Sequence, residues 1–282
     1  MAIPIPADSA PALTPSTYDP DLGQLLLLPL PADLVAVLSP QQPLEAAIGD
    51  TSGLGARVRG GVVQLFARRG LVAERLLAAG EIQPGGDVAC PSWPVGRLLA
   101  RATDSVSITV RSWTVALPAG VARGIPLDSI EALPSRDSAA LAAAVTRVVS
   151  GAAEADSAGA FRGLPFTVLR AYRTRDVTPG FVLSVLVRRI PQEDRPLEER
   201  WLVVVDAPAD STGSWRLAWM ERASGREEEL IASEPLAVLE VGQPAHVSVV
   251  LGRDDGTGTS LALLERVRGR WRLRWESPIA GC

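Results

Sequence analysis

Phe181-Val182-Leu183-Ser184-Val185-Leu186-Val187 is apolar at six of seven successive positions, and Trp201-Leu202-Val203-Val204-Val205 is apolar at all five. A strand sends alternate side chains to opposite faces, so runs like these put apolar groups on both faces at once. Such strands belong in the middle of a sheet that is covered on both sides. The covers available are the helix read below and the first half of the chain.

Working outward, the surrounding sequence is a series of strands separated by Gly, Pro and Asp. Phe166 to Arg173 comes before the two apolar runs. Trp215 to Met220, Leu236 to Leu239, His246 to Leu251, Ser260 to Val267 and Arg270 to Glu276 come after them. This pattern favours an antiparallel meander, sandwich or half-barrel over a βαβ fold. Ahead of it, Leu141, Val145, Val148 and Val149 recur at helical spacing, with Pro134-Ser135 as a start signal and Ser150-Gly151 as a stop.

In the first half, Gly61 to Gly70 reads as a strand reaching a turn. Ser105 to Val115 alternates Val106, Ile108 and Val110 against Ser and Thr, and Pro94 to Ala102 reads as a short helix. The fold class expected is therefore mainly β, with antiparallel sheets in a sandwich or half-barrel arrangement and one short helix, about 137–150, between two halves. The divisions are an extended Pro/Ala-rich arm (1–24), a β-rich half (25–133), a helix and linker (134–163) and an antiparallel half (164–282).

One internal repeat stands out. Gly213-Ser214-Trp215-Arg216-Leu217-Ala218-Trp219 matches Gly269-Arg270-Trp271-Arg272-Leu273-Arg274-Trp275 at an offset of 56 residues. Two copies are too few for a solenoid, so the repeat implies two equivalent strands whose Trp-x-Leu-x-Trp side chains share a core. If Arg268-Gly269 is a two-residue turn, Trp271 pairs with Arg266, Arg272 with Glu265 and Leu273 with Leu264. Period 2 then sends Trp271, Leu273 and Trp275 inward and Arg270, Arg272 and Arg274 to water. Nucleic-acid binding would need the aromatic and basic groups on one face.

Composition narrows the chemistry. The 282 residues carry a net charge of −4, which gives the chain as a whole no attraction to nucleic acid. Every basic residue other than His246 is arginine, as a GC-rich genome encodes, so lysine-dependent phosphate loops and Schiff bases are excluded. One histidine and two cysteines make a transition-metal site unpromising. His246 and Ser248 share a strand face, but that pair alone makes no catalytic triad, and no nucleophile elbow is present. Arg253-Asp254-Asp255-Gly256-Thr257-Gly258-Thr259 lacks the spaced ligands of a calcium loop and reads as a hairpin turn. The acidic stretches Gln192-Glu193-Asp194 and Glu227-Glu228-Glu229 read as solvated loops.

Cys90 and Cys282 are the right number for one disulfide, which would close most of the chain into a loop and point outside the cytoplasm. The alternatives are two buried free thiols, which would point inside the cytoplasm, and a Cys90–His246 nucleophile pair, which requires the fold to bring two distant residues together. The 1–24 arm has the character of a spacer that follows a removed signal peptide, and no apolar stretch is long enough to span a bilayer. A helix followed by strands with a late Gly-x-Trp-Arg-Leu segment, over 135–282, is similar to the cone-shaped α+β domains of the nuclear-transport-factor-2-like superfamily. This chain offers one helix where that fold has several, so no function is taken from the similarity.

The expectation is an extracytoplasmic, non-catalytic β protein that binds a protein or surface polymer or self-associates. It has no catalytic, cofactor-binding or metal residues to name, no nucleic-acid partner and no transmembrane segment. The alternative is a hydrolase using carboxylates or a serine on a β scaffold.

Overall fold

The structure, a computed structural model, describes residues 26–30, 34–38, 61–78, 95–99, 112–156, 159–174, 176–191, 196–208, 214–242 and 245–277. Among the described residues, sixteen strands and one α-helix are arranged as four layers. The first layer holds β1 (Leu26–Pro29), β2 (Leu34–Leu38), β3 (Val62–Ala67), β4 (Gly70–Leu77), β5 (Val95–Leu99) and β6 (Val115–Pro118). They pair antiparallel in the order β1-β2-β5-β4-β3-β6, and β6 returns to β1 through the single pair Leu27 and Ala116, closing a small barrel.

Two five-stranded sheets follow. The barrel-side sheet has the order β16-β15-β14-β13-β7, with β7 (Ala122–Ile125), β13 (Ala232–Val241), β14 (His246–Asp254), β15 (Thr259–Val267) and β16 (Arg270–Glu276). The helix-side sheet has the order β12-β11-β10-β9-β8, with β8 (Leu127–Ser129), β9 (Thr167–Thr174), β10 (Phe181–Ile190), β11 (Leu197–Asp206) and β12 (Arg216–Arg226). The chain steps from one sheet to the other between β7 and β8, at Pro126, which has no N–H to offer either ladder. The fourth layer is α1 (Ser135–Asp156).

Three apolar cores lie between the four layers. Val35, Val37, Val63, Leu65, Phe66 and Leu117 of the barrel meet Leu239, Val241, Val250, Leu261 and Leu263 of the barrel-side sheet. Ile125, Phe181, Leu183, Leu202, Val204, Val249, Leu251, Ala262 and Leu264 fill the space between the sheets. Leu141, Val145 and Val149 of α1 pack on Val182, Leu186, Trp201, Val203 and Val205. The two-faced apolar runs 181–187 and 201–205 are thus explained: one face meets the other sheet and one meets the helix.

The structure bears out the mainly β, sandwich-like class and corrects several details. The helix lies between the halves in sequence but outside them in space. It runs to Asp156 rather than stopping at 150, because Ala152 and Ala153 continue its buried stripe and Gly151 faces open space. Of the Pro94–Ala102 segment, expected as a short helix, the described residues Val95–Leu99 form strand β5, which joins β2 to β4 with alternating burial. Tertiary pairing overrides a weak local preference there. Residues 105–111, most of the alternating Ser105–Val115 segment, lie outside the described residues; β6 begins at Val115. The similarity to cone-shaped α+β domains stops at the order of the elements, since the strands after the helix form two stacked sheets.

Candidate functional site

Cys90 and Cys282 lie outside the described residues, as do Gln192, Glu193 and Asp194. His246 opens β14 with Nε2 3.4 Å from Glu265 Oε1, and Glu265 is also met by Arg274 at 3.2 Å. Ser248 is fully buried beside it, out of reach of a substrate. The 254–258 segment is the β14–β15 turn. Asp255 accepts from the Thr257 hydroxyl and the Thr257 and Gly258 amides, which holds its carboxyl below the ordinary value. Glu227–Glu229 is an exposed 3-10 turn. Among the described residues no cluster of three or more His, Cys, Asp or Glu side chains is placed to hold a metal ion.

The closing hairpin turns at Arg268 and Gly269, both at positive φ (52° and 75°), as a two-residue turn requires. The pairs Trp271 with Arg266, Arg272 with Glu265 and Leu273 with Leu264 all form. A bulge at Arg274 then shifts the register, so Trp275 pairs with Leu263 and turns to the barrel-side core, while Trp271 enters the core between the sheets. Leu273, expected inside, is 38% exposed on the edge strand. The tryptophans therefore do not share one face.

At this end the two sheets are tied by a polar–aromatic knot. Trp271 Nε1 donates to Asp206 Oδ1 at 3.2 Å, and Arg216 reaches Asp206 Oδ2 at 3.1 Å. The Arg266 guanidinium stacks over Phe181 and Trp271, 5.5 and 5.4 Å from their ring centroids, and donates to the Pro179 carbonyl. Burial lowers the Arg266 pKa, with Asp206 acting against that.

A second polar cluster crosses the helix-side sheet. Glu198 and Glu199 are both 0% exposed and point to opposite faces of β11. Glu199 accepts from Arg188 and, at 2.5 Å, from Arg222. Glu198 accepts from Arg189 at 2.7 Å and Arg200 at 2.7 Å. Two guanidiniums per carboxylate, with Arg188 stacked on Phe166 and Arg222 on Trp201, offset the cost of removing these charges from water.

A cleft lies toward the other end of the strands from the Asp206–Trp271 knot. β8 pairs β9 only over Tyr172–Thr174, and β7 pairs β13 only over Val238–Val241. Beyond them the edges of both sheets are left uncovered by β7 and β8, each kinked by a bulge, at Leu169 in β9 and Leu236 in β13. Between these edges is a cavity of about 520 Å³, lined by Leu169, Arg170, Val185, Arg200, Ala232, Ser233, Glu234, Leu236, Gly252, Arg253, Asp254 and Thr259. That size suits a small-molecule ligand.

The β13 edge is not free to add a strand. Pro235 has no N–H, its carbonyl accepts from Arg68 at 2.8 Å, and the Leu236 carbonyl accepts from the Thr114 hydroxyl at 2.8 Å. Arg68 also pairs Glu234 at 2.5 Å and lies over the Tyr172 ring. Burial raises the Tyr172 pKa, with Arg68 opposing it.

Arg253 is the most informative residue of the cleft. It is only 5% exposed; Nη1 meets Glu276 at 2.7 Å and Nη2 meets Glu221 at 2.5 Å, whereas buried Nε has no partner. An unsatisfied buried donor costs about 1–3 kcal/mol. The sequence did carry a signal for it: period 2 puts Arg253 on the face of Val247, Val249 and Leu251, where a charge needs a reason. Arg170, Ser233 and Thr259 gave no such sign, because only the stacking of the sheets brings them together.

Against protein families, curated proteins and solved structures, the chain returns no match.

Proposed function

We propose that this chain is a non-catalytic binding protein whose ligand sits in the cleft between the open edges of β9 and β13. One observation carries the reading: the cleft mixes apolar walls with arginines and hydroxyls, while its two carboxylates are already engaged. Glu234 is held by Arg68, and Asp254 accepts the Gly256 amide at 2.8 Å. A carboxylate-pair hydrolase needs two acids facing a bound substrate. Here Glu198 and Glu199 are sealed between arginines and Ser248 is buried.

The test is a panel of ester, glycoside and peptide substrates offered to the pure protein. No turnover is expected. Turnover that Glu234→Gln or Asp254→Asn abolishes would replace the binding reading with the hydrolase.

The extracytoplasmic location belongs to the same proposal and rests on the Cys90–Cys282 bridge. Intact mass after alkylation without reduction is expected to show no labelled thiol; two labelled cysteines would remove the bridge and the support it lends to that location.

A further inference from the structure

We infer that the cleft takes its ligand through an oxyanion, a carboxylate or phosphate group, set against Arg170 and the Nε–H of Arg253. The inference rests on the binding reading above and names the chemistry of its ligand.

It follows from which groups in the cleft remain uncommitted. Arg200 is matched by Glu198, and Glu234 by Arg68. The two terminal nitrogens of Arg253 are matched by Glu276 and Glu221. What remains is the Arg170 guanidinium, which has no ion-pair or hydrogen-bond partner through its side chain among the described residues, the buried Nε–H of Arg253, and the hydroxyl of Ser233, the cross-strand partner of Arg253. Apart from the hydroxyl oxygen, these are donors, and two belong to cations. Arg170 pairs with Val185, whose side chain is in the core between the sheets, so both point to the cleft side of the helix-side sheet. The other acid of the lining, Asp254, follows Arg253 in β14 and so points, with its cross-strand partner Thr259, to the opposite face. A ligand supplying acceptor oxygens satisfies both arginines, and charge-assisted bonds of this kind are the strong ones. Leu169, Val185 and Leu236 leave room for an apolar body behind that group.

The experiment is calorimetric titration of the full chain with inorganic phosphate, citrate and neutral maltose at fixed ionic strength, repeated on Arg170→Ala and on Arg272→Ala, an exposed arginine outside the cleft. Saturable binding of phosphate or citrate is expected, weakened at least tenfold by Arg170→Ala and unchanged by Arg272→Ala. The anion that binds distinguishes a phosphate ligand from a carboxylate one. Equal weakening in both variants would show general charge attraction and overturn the inference. Binding of maltose alone, insensitive to Arg170→Ala, would overturn it while leaving the binding reading in place. Binding of none of the three would also overturn it, and the substrate panel then judges the binding reading separately. Since Arg170 is exposed, its variant keeps the fold; an unchanged circular dichroism spectrum checks this.

Discussion

The two five-stranded sheets are built to one plan and finished differently. Each is a four-stranded meander, β9–β12 or β13–β16, extended by one short strand from the 122–129 segment. Each bulges in its first strand, at Leu169 or Leu236, and in its last, at Ala218 or Arg274. The last two bulges sit 56 residues apart, the offset of the Trp-x-Leu-x-Trp repeat. Because the bulge falls between the paired Leu and Trp, the two tryptophans of each copy face opposite ways. Trp215 packs toward the helix and Trp219 into the core between the sheets; Trp271 packs into that same core and Trp275 toward the barrel. Both copies thus point the same way along the stack of layers. The sheets are stacked like successive layers, and what distinguishes them is what covers each: a helix on one, a barrel on the other.

The comparison can be broken most severely at the helix-covered face. Trp201 is fully buried and stacks edge-on against Phe166 at 5.5 Å. Trp201→Ala should cost ~3–5 kcal/mol in equilibrium urea unfolding. A loss below ~1 kcal/mol would mean that α1 is not anchored there.

Glu199→Ala should cost a similar ~3–5 kcal/mol, since it strips the carboxylate from buried Arg188 and from Arg222. Adding Arg188→Ala should recover part of that loss, and a strictly additive double variant would contradict the pairing.

The barrel-covered face is tested at Gly124. A Cβ there would lie 2.8 Å from Gly70 Cα and 2.9 Å from the Leu71 amide nitrogen, and Gly70 is held at φ +99°. Gly124→Ala should therefore lower stability by ~1–3 kcal/mol, read from the thermal midpoint and unfolding enthalpy. No change would show that β4 and β7 can separate at no cost.

The finest test compares the two repeat copies. Trp271→Phe leaves Asp206 without its buried donor and should cost ~1–3 kcal/mol. Trp215→Phe, on a partly buried ring, should cost less than ~1 kcal/mol, a typical value for sites away from the core. Equal effects would mean that the two copies are interchangeable.

Much of the fold was legible beforehand. The helical stripe from Leu141 to Val149, the two-faced runs of β10 and β11 and the Arg268-Gly269 turn are local patterns, and local patterns survive folding. The reading of the closing strand failed at Arg274 because a bulge leaves no mark on apolar alternation until the partner strand is known. Val95–Leu99 was misread as helix because β5 gets its identity from β2 and β4, which are distant in sequence.

The candidate site was least visible. Arg170, Arg200 and Arg253 come from three strands, and their side chains converge only once the sheets stack. By itself the sequence determined most strands of the second half, that β10 and β11 are buried on both faces, and that the chain lacks lysine and all but one histidine, because periodicity and composition are properties of the chain alone. Tertiary structure decided which layer covers each sheet, which glutamate meets which arginine, and where β7 and β8 stop short and leave a cleft. Those depend on the register between strands far apart in sequence, where a one-residue slip would turn every side chain to the other face.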